Sequence, residues 1–172
     1  MLKSLPPILL NMKTINITIH GEPFGKLNLR PVMRGGHASS YSPKENNWYM
    51  DRVIGILNDI DFIRESEEVI FPKEVSVSVT IVAYFKVPEG NFKYYKKEKR
   101  SRWNQEGQDM IAGKIRPNKK PDLDNISKAI CDGISHHGKV WHDDSQVVEE
   151  HIEKYYSEVP RVEVTIKEVE HE

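Results

Sequence analysis

Residues 74–88, EVSVSVTIVAYFKVP, constrain the chain most, because valine, isoleucine and aromatic residues alternate there with polar ones. A period of two sends successive side chains to opposite faces, and β-branched residues suit a pleated surface, so a central strand is expected, ended by Pro88 and Gly90. The same alternation recurs as Ile15, Ile17 and Ile19 in TINITIH (14–20) and as Val162, Val164 and Ile166 in RVEVTIKEV, giving a first and a last strand. Another turn and strand are expected within KVWHDDSQVVEEHIEKYYSE.

Helical spacing lies between these strands. Ile126, Ala129, Ile130 and Ile134 form one apolar stripe, with Gly138 as the stop. A further helix is expected from Ser42 or Pro43 through about Leu57, with Trp48, Val53, Ile54 and Leu57 as its inner face. The stretch GEPFGKLNLRPVMRGGHASSYSP reads as an extended loop with short strand pieces, from which Lys26, Arg30 and Arg34 project. NFKYYKKEKRSRWNQEG reads as a basic helix with its aromatics toward the core, or as an arm that orders on meeting something negative. At 172 residues, 38% hydrophobic and 30% charged, the chain suits one domain, assigned to 13–170, with residues 1–12 as a flexible extension.

LPPILL, the early apolar run, is far shorter than the roughly 20 residues of a membrane span and carries two prolines, so no membrane association is expected. The single cysteine, Cys131, has no disulfide or CxxC partner, which suits a reducing cytoplasm. His136, His137 and His142 lack zinc-ligand spacing. The net charge of −1 hides a strong asymmetry: residues 93–120 are basic, and the chain from Asp143 onward is acidic.

The basic stretch leads directly into KPDLDNISKAI, residues 120–130. If Lys120–Leu123 is extended, Asp122 and Asp124 share a face, and two carboxylates about 5 Å apart repel by roughly 3 kcal/mol at an effective dielectric near 20. Such a pair needs a cation or a raised pKa, although Asp124 or Asn125 also serves to cap the helix. Lys128 falls one helical turn beyond Asp124. Downstream, VWHDDSQ supplies Asp143 and Asp144 at a strand end. Carboxylates from two segments, a lysine and a basic approach are what a Mg²⁺ site for phosphodiester cleavage needs, with Asp122, Asp124, Asp143 and Asp144 as candidate ligands. Lys114, Arg116, Lys119 and Lys120, together with Lys26 and Arg30, are candidate phosphate contacts.

KPDLDNISKAICDGI, followed after a short gap by VWHDDSQV and then Lys154, resembles the RusA family of Holliday-junction resolvases, found in bacteria and prophages. The resemblance is strong over about Lys119 to Lys154, and weaker at the first strand with GEPFGK. It implies an α/β domain of α+β type, compact, with a mixed, mostly antiparallel sheet and helices packed on it. It also implies a homodimer that resolves four-way DNA junctions in recombination and repair, using Mg²⁺ with Mn²⁺ as a substitute, by in-line hydrolysis to a 5′-phosphate and a 3′-hydroxyl. The family's essential aspartates fall on Asp122, Asp124 and Asp144, with Asp143 its close neighbour, and its functional lysine falls on Lys128. Lys139 is inserted relative to the family pattern, which leaves open which member of the Asp143–Asp144 pair meets the metal. Two alternatives stand beside this one: a nuclease of the same fold preferring flaps or other branched DNA, and a non-catalytic branched-DNA-binding module.

Overall fold

The computed structural model describes residues 13–169; the extension expected over residues 1–12 lies outside the described residues. The alternating segments become β1 (Thr14–His20), β4 (Val77–Lys86) and β8 (Arg161–Glu168), and with β7 (Val147–Ser157) they form a four-stranded sheet ordered β1-β8-β4-β7. β8 lies antiparallel between β1 and β4, whereas β4 and β7 run parallel, so the sheet is mixed and mostly antiparallel, as expected. The register places Ile17 opposite Val164, and Val164 opposite Ile81, so all three apolar rows lie on one face.

That face is covered by α1 (Lys44–Asn58) and α4 (Leu123–His137). Tyr49, Val53 and Leu57 of α1 are buried, each one turn from the next. Trp48, placed on the inner face by its sequence, is instead 59% exposed: it lies one residue, or about 100° of helix, away from Tyr49. In α4 the expected stripe is buried throughout, and Gly138 ends the helix at φ 76°, a left-handed geometry that suits glycine. Trp141 is fully buried, and its indole N–H donates to the Ser135 hydroxyl at 2.8 Å. Each buried isoleucine or valine of this core contributes roughly 1.5–3 kcal/mol relative to exposure.

The parallel β4–β7 pair requires a long crossover, and that crossover carries α4. It also holds β5 (Phe92–Tyr95), β6 (Arg100–Trp103) and α3 (Gln105–Ile111). The basic stretch is therefore a hairpin and not a helix, and its aromatics are not all inward, with Phe92 50% and Tyr94 61% exposed. Pairing alternates the types: Phe92, Trp103 and Tyr94 occupy one face, and Lys93, Arg102, Tyr95 and Arg100 the other. A second hairpin, β2 (Arg30–Arg34) with β3 (His37–Tyr41), forms within the first extended loop. A short helix, α2 (Asp61–Arg64), follows α1.

Candidate active site

The helix carrying the aspartates starts at Leu123, so Asp122 takes the N-cap position and Asp124 lies in the first turn. Neither Asp124 nor Asn125 is the cap, and the two aspartates are not the neighbours of an extended strand, because the chain turns into helix between them. Asp122 makes no side-chain capping bond. Both residues sit at the positive end of the helix dipole. The Lys128 ammonium lies 3.1 Å from Asp124 Oδ2, and this hydrogen bond holds the Asp124 carboxyl below the usual carboxylate range. Both partners are more than half exposed, so the pair adds little to stability.

Asp122 faces one side, lining a cleft with Lys26, Lys120, Pro121 and Asn125. Lys128 faces the other. It lines a cleft of about 270 Å³ between α4 and the start of β7, with Ser127, Asp144 and Glu150 among the walls. The buried Ser127 hydroxyl donates to the Glu150 carboxylate. Cys131 also lines this cleft, its thiol pushed up to about 12 by burial. It is expected to resist an aromatic disulfide reagent at neutral pH in the folded protein and to react on unfolding; rapid labelling of the native state would contradict that placement.

The turn before β7 separates its two aspartates. Asp143 caps the single 3₁₀ turn Asp144–Gln146: its carboxylate accepts the Ser145 N–H at 2.9 Å, and hydrogen bonds from the Ser145 side chain and backbone hold its carboxyl low. Asp144 is exposed and lines the cleft with Lys128. Buried Gln146 locks this turn to the body of the protein. Its Nε2 donates to the carbonyls of Phe71, Pro72 and Val75 at 3.3, 2.8 and 2.9 Å, while its Oε1 accepts the N–H groups of His142 and Asp143 at 2.8 and 3.4 Å.

The candidate phosphate contacts divide into two groups. Lys26 pairs with Asp132 at 2.5 Å and Lys114 with Asp109 at 3.1 Å. Arg116 pairs with Glu153 at 3.3 Å and lies 3.5 Å over the Tyr155 ring, so its guanidinium is already engaged within the chain. Arg30, Lys119 and Lys120 are exposed and form no ion pair among the described residues. The same holds for Lys93, Lys96, Lys97 and Lys99 of the hairpin, where Glu98 engages Arg100 and Arg102.

Asp122, Asp124 and Asp144 are each exposed oxygen donors, the type that suits a hard dication such as Mg²⁺. Among the described residues, however, no three His, Cys, Asp or Glu side chains are gathered closely enough to hold an ion together. Asp144 and Lys128 share one cleft, Asp124 is tied to Lys128, and Asp122 lies on the opposite side of the helix end. His136 and His137 contact the Asp132 carbonyl and the Asn58 side chain.

Gln146, Glu150 and Gly25 had no place in the sequence-based site, and Lys154 entered it only as part of a motif. Gln146 stood inside the quoted VWHDDSQ motif, but a neutral amide gives no electrostatic signal. Glu150 is one of many acidic residues in the carboxy-terminal part, and nothing local marks the one that meets Ser127.

The helix that opens on two aspartates and a lysine, and the Asp-Asp turn that follows it, lie within a stretch of sequence that matches a known family. The family model described as "Endodeoxyribonuclease RusA" matches residues 20–167, and the chain belongs to that family, one of DNA endonucleases. It is also 32% identical over 158 residues to the "Uncharacterized protein YqaN" of Bacillus subtilis (strain 168), a match that covers 92% of this chain and 99% of that protein. Among the described residues no helix is long and apolar enough to cross a membrane.

Proposed function

We propose that the protein is a Mg²⁺-dependent, structure-selective endodeoxyribonuclease that acts as a homodimer in the cytoplasm and resolves four-way DNA junctions during recombination and repair. The observation that carries this proposal is the shared cleft of Lys128 and Asp144, which come from separate segments, with Asp124 held on the same lysine. Asp124 and Asp144, on the Lys128 side, would hold the ion, Mn²⁺ serving in place of Mg²⁺, and Asp122 would join them by reorienting from the opposite side of the helix end. When bound, the ion supplies charge neutralisation at the phosphate and acidification of the attacking water. Lys128, 3.1 Å from Asp124, would stabilise negative charge on the scissile phosphate. The water oxygen forms a bond to phosphorus, the bond from phosphorus to the 3′ oxygen breaks, and the proton released by the water ends on that oxygen. The products are a 5′-phosphate and a 3′-hydroxyl. Exposed Arg30, Lys119 and Lys120, together with Lys26, Lys114 and Arg116 once their internal partners are exchanged for phosphate, position the polyanion. Two equivalent sites in a two-fold dimer match the two equivalent phosphates of a symmetric junction.

The deciding experiment compares a four-way junction, a flap and a linear duplex of the same sequence, with Mg²⁺, with Mn²⁺ and with chelator. Preferential junction cleavage requiring the metal is expected, and equal cutting of all three substrates would remove the junction assignment. A non-catalytic branched-DNA-binding module is the second reading, favoured by the exposed Asp124–Lys128 pair, which has the form of an ordinary i,i+4 ion pair. Junction binding without cleavage under any metal condition would establish it. Lys128→Ala separates the two roles further: cleavage is expected to fall about 10- to 100-fold with junction affinity within about threefold. A variant cutting at full rate would leave Lys128 a surface ion pair.

A further inference from the structure

We infer, resting on the nuclease reading above, that Lys154 is a positioning residue of the reaction centre and is one jaw of a clamp that fixes the Asp122-bearing turn. Lys154 lies on β7, which is an edge strand with β4 on its other side. Its half-buried ammonium donates to the Lys119 carbonyl at 2.6 Å and to the Pro121 carbonyl at 3.1 Å. In the reverse direction, Arg116 Nε donates to the Lys154 carbonyl at 2.5 Å. The segment 116–121 is thus stitched to the open edge of the sheet immediately before Asp122, and two of the three ammonium N–H groups of Lys154 are committed to it. Both stitches fall on main-chain atoms, so they set where the backbone enters α4 whatever the side chains of Lys119 and Lys120 do.

The opposite jaw is Gly25. A Cβ at that position would lie 2.4 Å from Pro121 Cβ and 3.2 Å from Asn125 Cβ, so the Gly25 backbone rests directly on the turn. The next amide, Lys26 N–H, donates to the Asn125 carbonyl at 2.8 Å. This jaw is itself anchored: Phe24 stacks on Tyr49 of α1 with centroids 4.9 Å apart, and Asn46 exchanges hydrogen bonds of 2.8 and 2.9 Å with the Leu27 backbone. The aspartate-bearing turn is therefore gripped between α1, through Pro23–Leu27, and β7, through Lys154. A misplacement of about 1 Å at reacting groups is enough to cost about 100-fold in rate. Fixing the entry to α4 at two points holds the backbone that carries Asp122 and Asp124 in place relative to β7, which begins three residues after Asp144.

The test compares Lys154→Met, which keeps the aliphatic stem without the donors, with Lys154→Arg, which restores donors to the carbonyls. Met is expected to lower kcat on the four-way junction about 10- to 100-fold with KM within about threefold, and Arg to recover at least about a third of the loss on a logarithmic scale. Hydrogen exchange at the amides of Lys26 and Ile126, whose acceptors are the Asn125 and Asp122 carbonyls, is expected to accelerate about tenfold in Lys154→Met, with β8 amides unchanged. An unchanged kcat with unchanged exchange at those two amides would overturn the clamp, as would acceleration spread equally over β8, which is the mark of general destabilisation. If the unmodified protein cuts no DNA, the nuclease reading fails while the exchange measurement still decides the clamp.

Discussion

Asp144→Asn is expected to lower junction cleavage at least about 100-fold, while Asp143→Asn leaves it within about fivefold. The two residues are adjacent and chemically identical, so the contrast comes from their surroundings alone. The Asp143 carboxylate is spent on the 3₁₀ turn, accepting the Ser145 N–H, and asparagine caps nearly as well as aspartate. Asp144 makes no such bond among the described residues and lines the cleft with Lys128. Asp122→Asn and Asp124→Asn are expected to join Asp144→Asn in losing cleavage. In all three, junction affinity is retained or increased, because removing a carboxylate removes repulsion against phosphate. Gel-shift binding measured alongside cleavage checks both halves. Equal activity of Asp144→Asn and the unmodified protein would end the catalytic assignment, and equal loss in Asp143→Asn would mean that the capped aspartate also enters the chemistry.

Gln146→Leu is expected to destabilise the protein by about 2–4 kcal/mol, since it leaves buried main-chain groups without partners. The amide serves the three carbonyls of Phe71, Pro72 and Val75 and the two N–H groups of His142 and Asp143 at once, and leucine of similar size serves none. For a domain of this size the midpoint of thermal unfolding should drop by about 5–15 °C. Gln146→Glu gives a sharper check. It keeps the acceptor for His142 and Asp143 but turns a carboxylate toward three carbonyl oxygens, so it should be no better tolerated than leucine at neutral pH and should regain stability as the carboxyl protonates in acid. Differential scanning calorimetry at two pH values measures this. A fall in midpoint below about 2 °C in both variants would mean that the turn is held by other contacts.

The fold was legible wherever its causes are local. A period of two in TINITIH, in EVSVSVTIVAYFKVP and in RVEVTIKEV marks strands because alternate side chains of an extended chain share a face. The spacing of Ile126, Ala129, Ile130 and Ile134 marks α4 for the equivalent helical reason. The basic stretch 93–103 misled because lysine and arginine are good helix formers and the run carries no clear period. Its conformation follows from tertiary contacts instead: Phe92 packs edge-on against Trp103 with centroids 4.9 Å apart, and the Trp103 indole N–H donates to Glu158, 55 residues away in the sequence. Trp48 misled in the opposite way, since a large aromatic near an apolar stripe looks buried until the phase of the helix is set by Tyr49.

By itself the sequence determined which acidic and basic residues are present, in what order, and for the main strands and α4 on which kinds of element they sit, because motif spacing and periodicity are properties of neighbouring residues. Only the tertiary structure decided that Asp143 is a cap and Asp144 a cleft residue, that Arg116 is committed to Tyr155 and Glu153, and that Lys154 and Gly25 grip the turn before Asp122. Those assignments depend on hydrogen bonds and packing between segments tens of residues apart, which come together when the sheet and its crossover helix close on a common core.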